Sequence, residues 1–290
     1  MNTASGCLFL HPNYLHFQVN ISSKRFSCRV ADAGLLFNEK IRYLSSYLQI
    51  NTQRALTRNP TLRTTPLSTF QSVVAAFSSF GFTKMEISRI LDMHPILLTA
   101  DPDQFLYPVI DFLLNEALIP FSDIPKSISR CPRLLVSSVR NRLRPNLEYL
   151  NSLGFTAPES INSRTTLLLV YDKDYTFASK IDYLIELGFL HSEVKKMVVR
   201  SPSILTYSVE KNIRPKARYL LDEIGRELSE LQAFPQYFSY SLEGKIKPRH
   251  KMLVHQGVRL PLSEMLKVSD GEFSTLLVEM ALQRGGGGAR

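Results

Sequence analysis

The chain has 290 residues with a formal net charge of +9, and 44% of its residues are apolar. No apolar run approaches the roughly 18 residues that a membrane-spanning helix needs, so we expect a soluble mature protein that stays off the membrane. The three cysteines form no CxxC pair, which argues against a zinc site or a disulfide framework.

Residues 1–31 form a leader that contains no acidic residue and many hydroxylated and basic ones. This composition is typical of an organellar transit peptide. The opening MNTAS and the few early arginines favour the chloroplast, with the mitochondrion as the alternative and residues 26–31 (FSCRVA) as the candidate processing region. A natively disordered tail is the other interpretation of this segment.

The stretch FTKMEISRILDMHP, residues 82–95, gives the clearest local pattern. Its apolar residues recur mostly at three- and four-residue spacings, which predicts an amphipathic helix from Thr83 to Met93. Pro95 forbids the continuation of this helix.

Prolines recur in pairs thirteen residues apart, and such a fixed offset predicts stacked supersecondary units. The pairs are Pro95 and Pro108, Pro132 and Pro145, Pro202 and Pro215, and Pro235 and Pro248. Two more degenerate units begin at Pro60 and Thr166, so the six units start 33 to 37 residues apart. This step predicts one helical hairpin per unit.

Positions in a unit are numbered here from the first proline slot, position 0. Positions +2 and +3 are apolar, positions +17 and +18 pair a bulky residue with leucine in most units, and a glycine-containing break usually follows. Position +6 carries a helix-capping residue, namely Asp101, Ser138, Asp172, Ser208 or Ser241. At the second proline, either the helix bends or a 3₁₀ turn precedes a fresh helix; we favour the second.

No hairpin of this kind can bury its apolar face alone, so we expect the units to stack. The predicted fold is an all-α, curved superhelical solenoid of about six helical hairpins. It would occupy residues 32–257, followed by a capping segment at 258–281 and a flexible tail at 282–290.

The pattern is carried most clearly by FGFTKMEISRILDMHPILL, LGFLHSEVKKMVVRSPSILTYSVEKNIRPKARYL and FPQYFSYSLEGKIKPRHKML. It resembles the mTERF family, the mitochondrial transcription termination factors and their plant organellar relatives, over most of the chain. The resemblance implies a solenoid whose concave basic face holds nucleic acid in organelle gene expression. Family members act in transcription termination or initiation, and in plants also in RNA processing and intron splicing.

Positive charge is concentrated in residues 131–290, with 23 basic and 17 acidic side chains, whereas residues 32–130 carry nine of each. The cations gather around the second proline slot, where stacked units would align them into a row that follows phosphates. The candidate phosphate contacts are Arg140, Arg142, Arg144, Lys211, Arg214, Lys216, Arg218, Lys245, Lys247, Arg249 and Lys251. The alternative is a solvated helix face. No such row is predicted in the amino-terminal units.

Catalysis has little support in the sequence. None of the six histidines has HExxH spacing, and neither a Walker loop nor a GxGxxG sequence occurs. We therefore predict a protein that is not an enzyme and that has no metal and no cofactor.

Two functional hypotheses follow. The first is a nucleic-acid-binding factor of plastid gene expression, acting with organellar transcription or splicing proteins. Double-stranded DNA is the favoured ligand, and RNA bound for transcript processing or intron splicing is the alternative. The second hypothesis is a helical scaffold that recruits other proteins. A pentatricopeptide-like RNA reader also has units of about 35 residues, but the paired prolines argue against it.

Overall fold

A computed structural model describes residues 32–157 and 160–285, and the regular structure in these ranges is helical. They contain fourteen α-helices, which short 3₁₀ and π-helical turns connect or extend. The helices are α1 (Asp32–Arg42), α2 (Thr52–Arg58), α3 (Leu67–Ser79), α4 (Lys84–Met93), α5 (Pro102–Asp111), α6 (Ile124–Arg130), α7 (Arg144–Ser152), α8 (Ala178–Glu186), α9 (His191–Arg200), α10 (Arg214–Arg218), α11 (Leu228–Ala233), α12 (Lys247–His255), α13 (Leu262–Lys267) and α14 (Asp270–Gly285). The predicted all-α class is confirmed; superhelical curvature stays a prediction.

The helix that ends before the first proline slot is called the first helix of a unit, and the helix that follows the slot is called the second. Helix α4 shows how local sequence sets both ends of a first helix. The Thr83 hydroxyl accepts a hydrogen bond from the backbone N–H of Glu86 at 3.3 Å, and the Glu86 carboxylate accepts one from the backbone N–H of Thr83 at 2.9 Å. This reciprocal capping box starts the helix. The helix ends before Pro95, and its buried residues are Ile87, Ile90 and Leu91.

The first proline slot of each unit begins a 3₁₀ turn. These turns are Pro60–Arg63, Pro95–Thr99, Pro132–Val136, Thr166–Val170, Pro202–Thr206 and Pro235–Ser239. From the second unit onward, the apolar pair at positions +2 and +3 is at most 3% exposed. These apolar pairs are therefore core residues that anchor each turn.

The predicted capping residues at position +6 each begin a helix. Their side-chain oxygens accept hydrogen bonds from backbone N–H groups two or three residues ahead, at 3.0 to 3.2 Å. The residues are Asp101, Ser138, Asp172, Ser208 and Ser241. The second helix of the unit thus starts at position +7, six residues before the second proline slot.

The second proline does not follow a 3₁₀ turn as predicted. In the third, fifth and sixth units a π-helical turn starts directly after the cap and continues into the α-helix that contains the proline. In the third unit the backbone N–H of Arg144 bonds to the carbonyl of Val139, five residues back. Pro145 cannot donate a hydrogen bond, and its ring would clash with the carbonyl four residues back in an α-helix. The wider π-helical turn relieves that clash.

Each unit ends at a residue with positive φ, where the chain reverses into the next unit. Five of these residues are glycines: Gly81, Gly154, Gly188, Gly225 and Gly257. Leu118, with φ of 55°, ends the second unit, and Gln49, with φ of 53°, lies before the first unit. This left-handed conformation costs a residue with a Cβ about 1–2 kcal/mol. Leu118 thus makes the same turn that glycine makes elsewhere, at the cost of strain.

The fourth unit and the amino-terminal region depart from the predicted hairpins. The described residues 160–165 form turns, so the predicted first helix of the fourth unit is absent from that range. In contrast, α1 and its π-helical extension Tyr43–Tyr47 have the form of a second helix. Tyr43 and Leu44 repeat the bulky-residue and leucine pair, and Gln49 repeats the positive-φ end. The proline spacing missed this half-unit because no proline marks it.

Successive units contact one another through their helices and 3₁₀ turns, and their buried side chains form one continuous cluster. Helix α13 contacts the 3₁₀ turn of the sixth unit. Helix α14 continues to Gly285, past the predicted start of the tail at residue 282. The division into solenoid and cap stays a prediction. Residues 1–31, with the predicted transit peptide, and residues 286–290 lie outside the described ranges.

Candidate nucleic-acid interface

Position +14, one residue after the second proline slot, joins neighbouring units. Lys216 is 6% exposed and Arg249 is 3% exposed. The Lys216 ammonium donates to the carbonyl of Phe238 at 2.7 Å. The Arg249 guanidinium donates to the carbonyls of Met265 at 2.7 Å and Val268 at 3.1 Å. The prediction that Lys216 and Arg249 contact phosphates is wrong, because their charged groups bind carbonyls inside the protein.

The same joint occurs at equivalent positions of other units. The Asn146 amide donates to the carbonyls of Leu169 and Tyr171, both at 2.6 Å, and the Lys40 ammonium donates to the carbonyl of Leu62 at 3.2 Å. These carbonyls lie at 3₁₀ turns, where helical partners run out. Burial lowers the pKa of Lys40. A polar donor at position +14 therefore has a structural reason that is independent of nucleic acid.

Arg144, at position +12, forms an ion pair with Glu116 at the end of the preceding unit. The two side chains make two parallel hydrogen bonds, at 2.7 Å and 2.6 Å. The hydrogen bond from Arg144 lowers the pKa of the Glu116 carboxyl. Arg144 is exposed, but a carboxylate already occupies the edge of its guanidinium.

The other cations at position +12 have two neighbours each. Arg214 and Lys247 pair with the glutamate four residues before them, Arg214 at 3.0 Å. The Arg214 guanidinium also lies over the ring of Tyr183, 4.8 Å from its centroid, and the Lys247 ammonium lies 5.7 Å from that of Tyr219. Each tyrosine belongs to the preceding unit, so these cation–π contacts hold adjacent units together.

The two candidates at position +10 are half-buried. The Arg142 guanidinium pairs with Asp172 at 3.2 Å across a groove of about 600 Å³ between the third and fourth units, which Arg133 also lines. The Lys245 ammonium donates to the carbonyl of Val268 at 3.2 Å. Each of these side chains therefore uses at least one of its N–H donors for a contact within the protein.

Four of the predicted residues are exposed and form no ion pair within the described ranges: Arg140, Lys211, Arg218 and Lys251. We call them the second-helix set. They do not form one row, because they lie at positions +8, +9 and +16. Position +16 is acidic in the second, third and fourth units and basic only in the fifth and sixth; its residues are Asp111, Glu148, Asp182, Arg218 and Lys251.

A second group of cations, which the sequence analysis missed, lies at positions −6 and −2, on the first helices or, for Arg164, on the turns that take the place of the first helix in the fourth unit. All eight members are exposed: Arg54, Arg58, Arg89, Lys126, Arg130, Arg164, Lys196 and Arg200. We call them the first-helix row. Extending the position numbering backwards from the first proline slot would have found it. This row is distinct from the one predicted around the second proline slot, and five of its members belong to the first three units.

No group of three or more metal-ligating side chains occurs within residues 32–157 and 160–285. Cys131 is buried and free, and burial raises the pKa of its thiol. No helix in the described part of the chain is long and apolar enough to cross a membrane.

The stacked units, with their paired prolines, buried apolar pairs and recurring surface cations, define an α-helical repeat protein. The mTERF family model matches residues 49–274, which confirms the resemblance. The chain belongs to the mTERF family.

Several curated plant transcription termination factors are similar in sequence to this chain. The chain is 35% identical over 162 residues to the chloroplastic transcription termination factor MTERF2 of Arabidopsis thaliana, covering 56% of this chain and 20% of that protein. It is 26% identical over 236 residues to the chloroplastic MTERF8 of the same plant, covering 81% and 47%. The mitochondrial MTERF15 is 23% identical over 260 residues, covering 87% and 57%. The matches therefore span a fifth to just over half of these relatives.

Proposed function

We propose that the protein is a nucleic-acid-binding factor of organellar gene expression, and that it regulates transcription by binding double-stranded DNA. The observation that supports the proposal is the recurrence, in successive units, of exposed cations that form no ion pair within the part of the chain that the structure describes. Such cations are free to neutralise phosphates, and each neutralised phosphate adds to the salt dependence of binding. Relatives named transcription termination factors support duplex DNA as the ligand, because transcription acts on a duplex.

The test is direct binding of the full chain to matched pools of duplex DNA and RNA across a salt titration. We expect binding to both at low salt, tighter binding to DNA, and a linear fall of log affinity with log salt. A preference for the RNA pool would replace transcription with transcript processing or splicing as the function. If neither pool binds at low salt, the cations form only a solvated face, and the scaffold hypothesis takes the place of this one.

We also propose that the protein acts in the chloroplast. The acid-free residues 1–31 and the chloroplastic relatives support this compartment, and a mitochondrial relative defines the alternative. The test is import of the full chain into isolated chloroplasts and mitochondria, with the chain lacking residues 1–31 as the control. Import into mitochondria alone would contradict the proposal.

A further inference from the structure

The cations of the first-helix row are almost all without an acidic partner in the described part of the chain. Of its eight members, only Arg54 forms an ion pair within the described residues, and its partner is Asp92. The row also reaches further than the second-helix set. It has at least one member in each of the first five units, whereas the second-helix set has none in the first, second and fourth units.

Stabilisation of the helices by their dipoles explains only some of the cations in the first-helix row. Cations in the last turn of a helix offset its dipole, and position −2 lies there in α2, α6 and α9. Position −6 lies near the amino-terminal end of α2 and α6, where the dipole disfavours a cation. Arg54 and Lys126 therefore gain nothing from the dipole of their own helices.

Bonds between units engage four of the eight members, Arg54 among them, and use only part of their hydrogen-bond donors. At position −2, Arg58 donates to the carbonyl of Met93 at 3.2 Å, and Arg130 donates to the hydroxyl of Ser163 at 3.0 Å. Arg200 uses two nitrogens, on the carbonyls of the next first helix at 3.2 Å and 3.0 Å. A guanidinium has five N–H donors, so each of these arginines is oriented by its neighbour and still has donors left.

We propose that the first-helix row is the surface that follows the phosphate backbone of the bound nucleic acid. This inference rests on the proposed function and names the face that performs it. Packed helices lie about 9 Å apart, so four steps between units extend over about 36 Å, or about ten base pairs at 3.4 Å each. The ligand chemistry is a phosphodiester chain, which DNA and RNA share.

The experiment compares two triple variants of the full chain with the same loss of charge. The first replaces the residues at position −6 that make no bond to another unit among the described residues: Arg89→Gln, Lys126→Gln and Lys196→Gln. The matched control replaces three of the second-helix set: Arg140→Gln, Lys211→Gln and Arg218→Gln. All six side chains are exposed, so both variants should fold, and thermal melts verify this. A third variant keeps the charge with Arg89→Lys, Lys126→Arg and Lys196→Arg.

The measurement is affinity for duplex DNA and for RNA, each about 20 nucleotides long, across salt. For duplex DNA, log affinity falls with log salt, and the first variant should make this fall shallower. The magnitude of the slope should decrease by about 2.7, since each phosphate contact contributes about 0.9. It should weaken binding on the order of a hundredfold at ~0.1 M salt. The matched control should have a smaller effect, and the charge-conserving variant should bind like the unaltered protein.

Two results overturn the inference. In the first, the unaltered chain binds, and the first variant reduces the magnitude of the salt slope no more than the matched control does. The first-helix row is then not the surface that follows the phosphates, although the proposed function survives. If the unaltered chain does not bind either ligand, the proposed function and this inference fail together. When the unaltered chain binds and the first variant has the larger effect, the DNA and RNA titrations show which phosphodiester chain the first-helix row contacts.

Discussion

The ammonium group of Lys216 lies 2.7 Å from the carbonyl oxygen of Phe238, while the hydroxyl of Tyr237 donates to the carbonyl of Lys216 at 3.0 Å. The fifth and sixth units are therefore joined by two buried hydrogen bonds that run in opposite directions. Burial lowers the pKa of Lys216 and raises the pKa of Tyr237. The joint explains why a lysine follows the second proline even though no phosphate can reach it.

Replacing Lys216 tests this joint. We expect Lys216→Met to lower the free energy of unfolding by about 1–3 kcal/mol, because it leaves the Phe238 carbonyl buried without a partner. Urea denaturation followed by circular dichroism measures the change. The exposed Arg218→Met is the control and should stay within about 0.5 kcal/mol of the unaltered protein. Equal midpoints for the two variants would show that the joint contributes nothing.

The strained end of the second unit offers a stabilising change. We expect Leu118→Gly to raise the free energy of unfolding by about 0.5–1 kcal/mol, since glycine accepts a positive φ and loses only part of the gain to backbone entropy. Leu118→Ala is the control, because it removes the same exposed side chain and keeps the Cβ. Thermal melts compare the two. A gain of the same size from alanine would mean that strain is not the cause.

Gly188 should respond in the opposite direction. Its φ is 110°, and an added Cβ would lie 3.3 Å from Cδ1 of Leu228 in α11. We expect Gly188→Ala to destabilise the fold by at least about 1–2 kcal/mol. Gly271→Ala is the matched control, because Gly271 lies in α14 and its added Cβ would contact nothing within 4 Å. That change should stabilise by up to about 1 kcal/mol, and a loss there would contradict the reasoning.

Two half-buried histidines predict a dependence of stability on pH. Burial lowers the pKa of His94, with Arg133 adding to the effect, and burial also lowers the pKa of His250, with Arg226 adding to it. The unfolded chain therefore binds these protons more readily than the folded one. The neutral histidines contribute their full stability above the unfolded pKa of about 6.5. This contribution is lost as the pH falls below that value towards the lowered pKa of the folded state. We expect the free energy of unfolding to fall between about pH 7 and pH 5.

Urea denaturation at a series of pH values measures this loss. The double variant His94→Gln with His250→Gln should flatten the dependence, while the exposed His191→Gln should leave it unchanged. Glutamine at position 250 can still form a hydrogen bond with the Tyr219 hydroxyl, which lies 2.9 Å from Nδ1 of His250 in the unaltered protein. An equally steep profile in the double variant would assign the loss to other groups.

Much of the local structure could be read from single segments. The helix predicted from Thr83 to Met93, its end before Pro95 and the cap at Ser208 depend on neighbours within a few residues, so the sequence predicts them to within one residue. The π-helical turn before Pro145 was missed, because several backbone arrangements can accommodate a proline. The half-unit at Tyr43 was missed because it lacks the proline that defined the repeat.

The sequence by itself determined the repeat, its step, the helix starts and the apolar pairs that form the core, because capping, proline geometry and apolar spacing act over short stretches of chain. Only the tertiary structure decided which cations are free. Lys216 and Lys211 are both basic and five residues apart, yet a carbonyl of the next unit binds the ammonium of Lys216, while Lys211 is exposed. That difference depends on how each helix is rotated against its neighbour, which no segment of sequence encodes alone.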